Sequence, residues 1–382
     1  MTIAVKRYTS TMTGAPSLTG TVGSLITLLD ACLKDGFNTK EVSTAEQTAG
    51  VATVTTSGAH GYAVNDVVVI SGANESAWNN EFRVLTAATN SFTCAIAATT
   101  NSPATGTLSV KIAPLGWTKP FSGTDKAAYL PQAQYVQCYL RVQDDASTPT
   151  SANGRWAKVR GYESMSDVDT GEGLFPTAAQ RANGLSVVKS SSSDATARAW
   201  WLVGDGGIIY FGSIGVSSWN FYSGHLFGDI NSLKSGDAYS SAIHGFTTDT
   251  APNWPSDNDF ADVNGSSTGL YLARSYTQLG GSIAGIRQGA TIWSTSMGYG
   301  GLTYPHPPNN GLLFAEVAIA ESTGVRSFAL PGLYQPLHTT PLAHLETVTD
   351  VPSLPGRTLQ AFDLSVSIYR AQCLFDITGP WR

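Results

Sequence analysis

Charged residues are scarce in this chain of 382 residues. Asp, Glu, Lys and Arg make up only 13% of it, against roughly a quarter in an average globular domain. The net charge is −6, and no basic cluster forms the electrostatic footprint that nucleic acids require. We therefore expect no nucleic acid partner. A surface solvated mainly by neutral polar groups favours broad contacts with neighbouring subunits, because little charge has to be desolvated.

Long apolar segments and processing signals are also missing. No run approaches the ~20 apolar residues of a membrane span, and no early stretch has the charged start and apolar core of a secretory signal. We expect a protein made in the cytoplasm, with no membrane span. The four cysteines are far apart and form no C-x-x-C pair, which predicts buried free thiols; they are Cys32, Cys94, Cys138 and Cys373.

Familiar catalytic motifs are missing as well. The chain has no G-x-S-x-G elbow, P-loop, H-E-x-x-H or strand-following G-x-G-x-x-G. Its six histidines are isolated or separated by proline, unlike the convergent ligands of a zinc site. The sequence favours a protein without enzyme activity or cofactor. A cell-wall-degrading enzyme stays an alternative, because the paired carboxylates of glycoside hydrolases meet in space and need no motif.

One acidic segment has the alternation of a calcium loop. Asp167, Asp169 and Glu172 follow one another around Gly171, but the third oxygen position is that glycine and no bidentate glutamate follows at the required spacing. These three residues are weak metal candidates. We favour an acidic turn that hydrogen-bonds its own backbone, and we expect no bound metal.

The pattern predicts a mainly β protein in three parts. Residues 1–49 form a Pro/Gly-rich arm and one helix at 24–34, which Thr21 or Ser24 can cap and Gly36 ends. The arm can reach a neighbouring subunit or lie on its own domain. Residues 113–382 form a large antiparallel β-sandwich-like domain, with strands predicted at 135–142, 156–162, 198–203, 207–211, 269–273, 312–320, 358–365 and 373–377 and long loops at 164–183, 213–237, 247–267 and 299–310.

The middle part, residues 50–112, reads as a small β-barrel module. Five β-branched or aromatic runs are bounded by Gly, Asn, Ser or Asp; they are 51–55, 67–71, 82–86, 92–96 and 107–112. The order of a His60-Gly61 turn, the strand VVVISGA at 67–73, NEFRV at 80–84 and NSFT at 90–93 resembles a barrel insert common in bacteriophage tail and baseplate proteins. That resemblance implies a spacer or docking unit without chemistry of its own.

Aromatic residues concentrate in the long-loop half. Indoles beside Asn, Asp and Ser can stack on sugars while amides read hydroxyl groups. Trp200 and Trp201 are adjacent in a predicted strand, so at least one of them faces inward. The residues predicted to contact a ligand or a neighbouring subunit lie in or near loops; they are Trp219, Phe221, Tyr222 and Trp254.

A second resemblance spans most of the chain and rests on segments distributed along it. These are 14–37 with GSLITLLDACLKDGF, GW and FSGT at 116–124, VRGYESMSDVDTG at 159–171, WLVGDG at 201–206, KSGD at 234–237, LPGLYQPLH at 330–338 and FDITGPWR at 375–382. Together they resemble a family of phage and prophage virion structural proteins. The resemblance implies location in a particle and names no catalytic residue.

The combined expectation is a structural component of a bacteriophage particle, in the tail or baseplate. It is made in the host bacterial cytoplasm and assembles with itself as a symmetric homo-oligomer, a trimer or hexamer, and with other virion proteins. The arm and helix would attach it, the barrel would space or dock, and the large domain would make ring contacts. The alternatives are a head decoration protein and a virion protein that binds a receptor or host surface glycan.

Overall fold

A computed structural model of the chain describes residues 4–146, 154–215, 222–232, 234, 236–247, 269–288, 302–323, 327–338, 341–349, 351–366 and 369–382. Within them the protein is mainly β, as predicted, with one helix α1 (Ser24–Leu29), a π-helical segment (Asp30–Asp35) and a 3-10 turn (Ser76–Trp78). Each of these helices in the described ranges is too short or too polar to cross a membrane.

The strands are numbered in chain order. They are β1 (Lys6–Thr9), β2 (Phe37–Thr48), β3 (Val51–Thr56), β4 (Val67–Ala73), β5 (Glu81–Ala87), β6 (Ser91–Ala95), β7 (Gly106–Ile112), β8 (Thr118–Gly123), β9 (Lys126–Leu130), β10 (Tyr139–Gln143), β11 (Trp156–Tyr162), β12 (Ser164–Met165), β13 (Gly171–Glu172), β14 (Leu185–Val188), β15 (Trp200–Gly204), β16 (Ile208–Ser213), β17 (Ser223–Asp229), β18 (Asn231–Ser232), β19 (Ser241–His244), β20 (Leu270–Leu272), β21 (Ile283–Gln288), β22 (Phe314–Glu321), β23 (Ser327–Pro336), β24 (Thr347–Val348), β25 (Leu359–Val366) and β26 (Tyr369–Asp376).

The predicted helix is present, but its cap is not local. Helix α1 runs into the π-helical segment and the pair ends at Gly36, whose φ of 73° suits glycine. No side chain of the adjoining sequence caps its start. Instead the backbone amide of Leu25 donates to the Asp144 carboxylate at 2.8 Å, while Ser24 Oγ donates to the carbonyl of Thr19. The capping prediction was wrong because packing brings a distant carboxylate to the buried helix start.

All five predicted strands of the small module form a closed barrel with a sixth, in the order β2-β3-β6-β5-β4-β7. The sixth strand, β2, covers residues 37–48, which the sequence analysis grouped with the N-terminal segment. Only three of its residues, Phe37, Val42 and Ala45, are buried. With so few apolar positions among exposed polar ones, the strand lacks the regular alternation that would mark it in the sequence.

The rest of the chain forms layers of antiparallel sheet. One sheet has five strands in the order β14-β11-β10-β9-β8, and a larger one of 13 strands runs β1-β15-β16-β17-β19-β20-β21-β22-β23-β26-β25-β24, with β18 paired to β23. Side chains of β15 and β16 share a buried cluster with β22, β23, β25 and β26, so the large sheet folds back onto itself. The predicted sandwich-like architecture is confirmed.

Adjacent tryptophans show that the first half of the large sheet is covered on both faces. Trp200 packs in the cluster that contains α1 and the five-stranded sheet, whereas Trp201 packs in the cluster inside the folded large sheet. Both side chains are buried. Alternation along a strand therefore places one indole in each core. The four cysteines are buried too, as predicted.

The N-terminal arm lies on its own domain. Strand β1 pairs with β15, Leu18 is buried and bridges Arg198, and the indole NH of Trp200 donates to the carbonyl of Pro16 at 3.0 Å. Of the two alternatives for the arm, the structure adopts the second. These contacts hold the described part of the arm against the large domain of the same chain.

Several predictions in the large domain need correction: the loop predicted at 164–183 contains the short strands β12 and β13, and β8, β9, β14, β19, β21 and β23 match no predicted strand. The strand predicted at 135–142 starts only at Tyr139, because residues 132–138 turn, with the Tyr135 amide donating to the Gln132 carbonyl at 3.0 Å. The loop predicted at 213–237 contains β17, which is buried along nearly its whole length. Strand β17 packs between two layers and is buried on both faces. Its sequence therefore lacks the apolar and polar alternation that predicts a half-exposed strand.

Candidate functional site

The predicted contact residue Tyr222 is a core residue in the structure. Its side chain is 8% exposed, its ring stacks on His344 at 4.7 Å between centroids, and it lies tilted against Trp201 at 6.4 Å. The other three, Trp219, Phe221 and Trp254, lie outside the described residues. Their role in ligand or subunit contact stays a prediction.

The acidic segment forms a small hairpin of β12 and β13. Asp169 makes ion pairs with Lys126 at 2.9 Å and Arg141 at 2.5 Å, and hydrogen bonds from these two cations lower its pKa. Asp167 accepts the backbone amide of Asp169 at 2.7 Å, which is the turn we favoured. Glu172 is exposed and pairs through its backbone with Ser164. Among the described residues, no three His, Cys, Asp or Glu side chains converge on a metal position.

A polar groove of about 750 Å³ lies on the described surface. Three segments form it: the turn before β10, the stretch from the end of β17 to β19, and the last residue of the chain. Its described lining is Gln134, Tyr135, Val136, Gln137, Asp229, Ile230, Asn231, Ser232, Lys234, Asp237, Ala238, Tyr239, Ser240 and Arg382. We call this feature the polar groove.

Arg382 joins the walls of the polar groove. Its guanidinium makes an ion pair with Asp205 at 3.3 Å, donates to the backbone carbonyl of Asp229 at 2.9 Å and to Asn231 Oδ1 at 3.3 Å. The same guanidinium lies 4.8 Å from the centroid of the Tyr135 ring. Arg382 therefore contacts side chains and backbone that lie more than a hundred residues earlier in the chain.

The preceding residue, Trp381, explains why the tail reaches that position. Its indole NH donates to the carbonyl of Asp376 at 2.7 Å, and its ring packs on Gly332. A Cβ at Gly332 would stand 2.0 Å from the indole, and the φ of +68° there also favours glycine. Two segments on which the family resemblance rests, 330–338 and 375–382, are thus in contact where Trp381 packs on Gly332.

The polar side chains of the groove are held by one another. Asp229 accepts Ser240 Oγ at 2.6 Å, and burial raises its pKa against the opposing effect of Arg382. Asp237 accepts Ser232 Oγ at 2.6 Å and Gln278 Nε2 at 2.9 Å. These bonds fix the orientation of the carboxylates without a ligand.

A second aromatic ring stands in the groove with its own cation. The guanidinium carbon of Arg274 lies 3.9 Å from the centroid of the Tyr239 ring. Arg274 is in turn held by a bidentate pair with Glu163, at 2.5 Å for each bond. Because two hydrogen bonds to Glu163 fix the Arg274 guanidinium, its stacking restrains the half-buried ring of Tyr239.

The sequence pattern predicts no groove here, because the lining residues come from distant segments. It predicts a strand at Tyr135, and Tyr239 and Arg382 belong to no catalytic or binding motif. The segments at 234–237 and 375–382 were singled out only for family resemblance. Chemically, the groove offers fixed hydroxyl, amide and carboxylate groups beside two tyrosine rings, which suits binding of a polar ligand.

No protein-family model matches the chain, and no curated protein matches it. A solved structure, phage phi92 endosialidase, is similar at a TM-score of 0.18 and 13% identity, with 90% of this chain and 52% of that chain covered. The chain thus spans about half the length of that structure, and at so low a TM-score the likeness carries no argument.

Proposed function

We propose that this protein is a structural component of a bacteriophage particle, in the tail or baseplate, which works as a symmetric homo-oligomer. Its role is mechanical, and we propose no reaction for it. The sequence resemblance to virion structural proteins supports the location. The observation that supports the mechanical role is the joint between the barrel and the large sheet.

The joint consists of buried ion pairs around β1. Lys6, 1% exposed, pairs with Glu81 of the barrel at 2.8 Å and donates to the carbonyl of Pro114 at 2.6 Å. Arg7 pairs with Asp66 at 3.2 Å. From the barrel side, Arg83 donates to the carbonyl of Val5 at 3.2 Å. Buried pairs of this kind tolerate little movement, because a separated charge would be left without a partner.

Apolar packing continues across the same joint. Tyr8 is fully buried, donates from its hydroxyl to the carbonyl of Ala113 at 2.7 Å and lies 6.1 Å from the Phe37 ring. One cluster of buried side chains runs from the barrel through α1 to the five-stranded sheet and β15. A barrel held in this way supports a rigid spacer, which keeps its exposed strands at a set position relative to the sandwich.

Immunogold labelling of purified particles tests the proposal. Antibody against this chain should label the tail tip, in register with the symmetry of the baseplate. Label on the head surface would make the protein a head decoration protein instead. Particles without label, together with a stable monomer in solution, would contradict a structural role in the virion.

A further inference from the structure

We propose that the polar groove binds a neutral oligosaccharide through Tyr135, Tyr239, Asn231 and the groups around them. This inference is about the isolated chain and does not depend on the proposed place in a particle. It assigns glycan contact to a surface other than the loop tryptophans Trp219 and Trp254.

Charge balance in the lining argues for a neutral ligand. The described lining contains two carboxylates, Asp229 and Asp237, and two cations, Lys234 and Arg382. Asp229 and Arg382 are 3.6 Å apart as an ion pair, and Lys234 donates to the carbonyl of Tyr276 at 2.7 Å. An anionic or cationic ligand would meet like charge as well as opposite charge, so neither sign of ligand gains a net attraction.

The chemistry of the walls argues for hydroxyl groups on that ligand. Only three described lining residues, Val136, Ile230 and Ala238, are aliphatic, so the described walls offer little for the apolar anchor of a peptide. Internal hydrogen bonds already orient several polar groups of the lining, namely those of Ser232, Asp237, Ser240, Asp229 and Asn231. A ligand that meets fixed polar groups loses less free energy in ordering them.

The tyrosine rings supply the remaining feature of a sugar site. Tyr135 and Tyr239 are half-buried, with their rings oriented by Arg382 and Arg274. An aromatic ring packs against the C–H face of a pyranose, while neighbouring amides bond its hydroxyls. The groove is open along the surface between the 134–137 turn and residues 237–240, which suits the interior of a glycan chain.

Saturation-transfer NMR and equilibrium titration of the isolated full chain test the inference. The probes are maltohexaose, laminarihexaose and a mannohexaose, with hexagalacturonate as the charged comparison. We expect at least one neutral hexasaccharide to bind at micromolar to millimolar concentration, and the uronate to bind more weakly. Tyr239→Ala and Asn231→Ala should each weaken binding about tenfold, the effect of losing one well-placed contact.

Tyr304→Ala is the matched control, because Tyr304 is a 38% exposed tyrosine that does not line the groove. It should leave the affinity unchanged. Circular dichroism and thermal melting check that each variant is folded. If Tyr239→Ala does not fold, Asn231→Ala alone tests the groove. The inference is overturned if no neutral hexasaccharide binds, if the uronate binds at least as tightly, or if both groove variants bind like the parent chain.

Discussion

Among individual residues, His225 is a buried histidine in an apolar environment. It lies on β17, is 3% exposed, and packs edge-on against Phe246 at 5.3 Å and stacked on Phe211 at 6.2 Å. Neither ring nitrogen has a hydrogen-bond partner among the described residues. Burial lowers its pKa from 6.5 to about 3, so the folded protein keeps this imidazole neutral.

That environment predicts a loss of stability in acid. The unfolded chain binds a proton at His225 below about pH 6.5, whereas the folded chain does so only near pH 3. The stabilising contribution is complete above pH 6.5 and is lost as the pH falls, by about 2 kcal/mol between pH 7 and pH 5. His225→Phe should remove this part of the pH dependence, as measured by denaturant unfolding at both pH values. Equal slopes in the two proteins would contradict the prediction.

At the scale of elements, helix α1 depends on a buried ion pair. Lys189 and Asp144 contact each other with both side chains 0% exposed. Lys189 also donates to the carbonyl of Thr21 at 2.6 Å, and Asp144 caps the helix through Leu25. Burial raises the pKa of Asp144, while Lys189 and the helix amides oppose that rise.

Removing one partner of this ion pair should lower the free energy of unfolding more than replacing both partners with uncharged residues. Lys189→Met leaves a buried carboxylate without its cation and should reduce the free energy of unfolding by about 3–5 kcal/mol. The double variant Asp144→Asn with Lys189→Met should be less destabilised, because no buried charge remains. The deficit of the single variant should shrink as the pH falls, since protonation neutralises Asp144. Denaturant titrations at two pH values measure both effects, and a double variant no more stable than the single one would refute the account.

At the scale of the whole molecule, the continuous core predicts coupled unfolding. Calorimetry of the parent chain should show one dominant transition that includes the barrel. Tyr8→Ala should open a cavity at the joint, cost about 3–5 kcal/mol and separate a barrel transition from the rest. Tyr8→Phe keeps the ring and serves as the control with a single transition. A separate barrel transition in the parent chain would show that the joint is not rigid.

Much of the local structure of this protein is predictable from neighbouring residues. Five barrel strands, the helix at 24–34 and eight of the nineteen described strands of the large domain were predictable, because alternation and helical spacing depend on neighbouring residues. Inward orientation of one of Trp200 and Trp201 followed from the same alternation. Among the strands that this pattern does not predict, β2 has too few apolar positions and β17 packs on both faces.

The packing of the sheets brings together residues that are far apart in the chain. Asp144 caps a helix more than a hundred residues earlier, and Arg382 reaches Tyr135, Asp229 and Asn231. Tyr222, predicted for contact from its sequence neighbourhood, became a core residue because β26 and β25 fold over β15. Contacts of this kind depend on how the sheets stack. The stacking depends in turn on the packing of many side chains across each layer. The spacing of residues along the chain therefore does not predict which side chains from different layers come into contact.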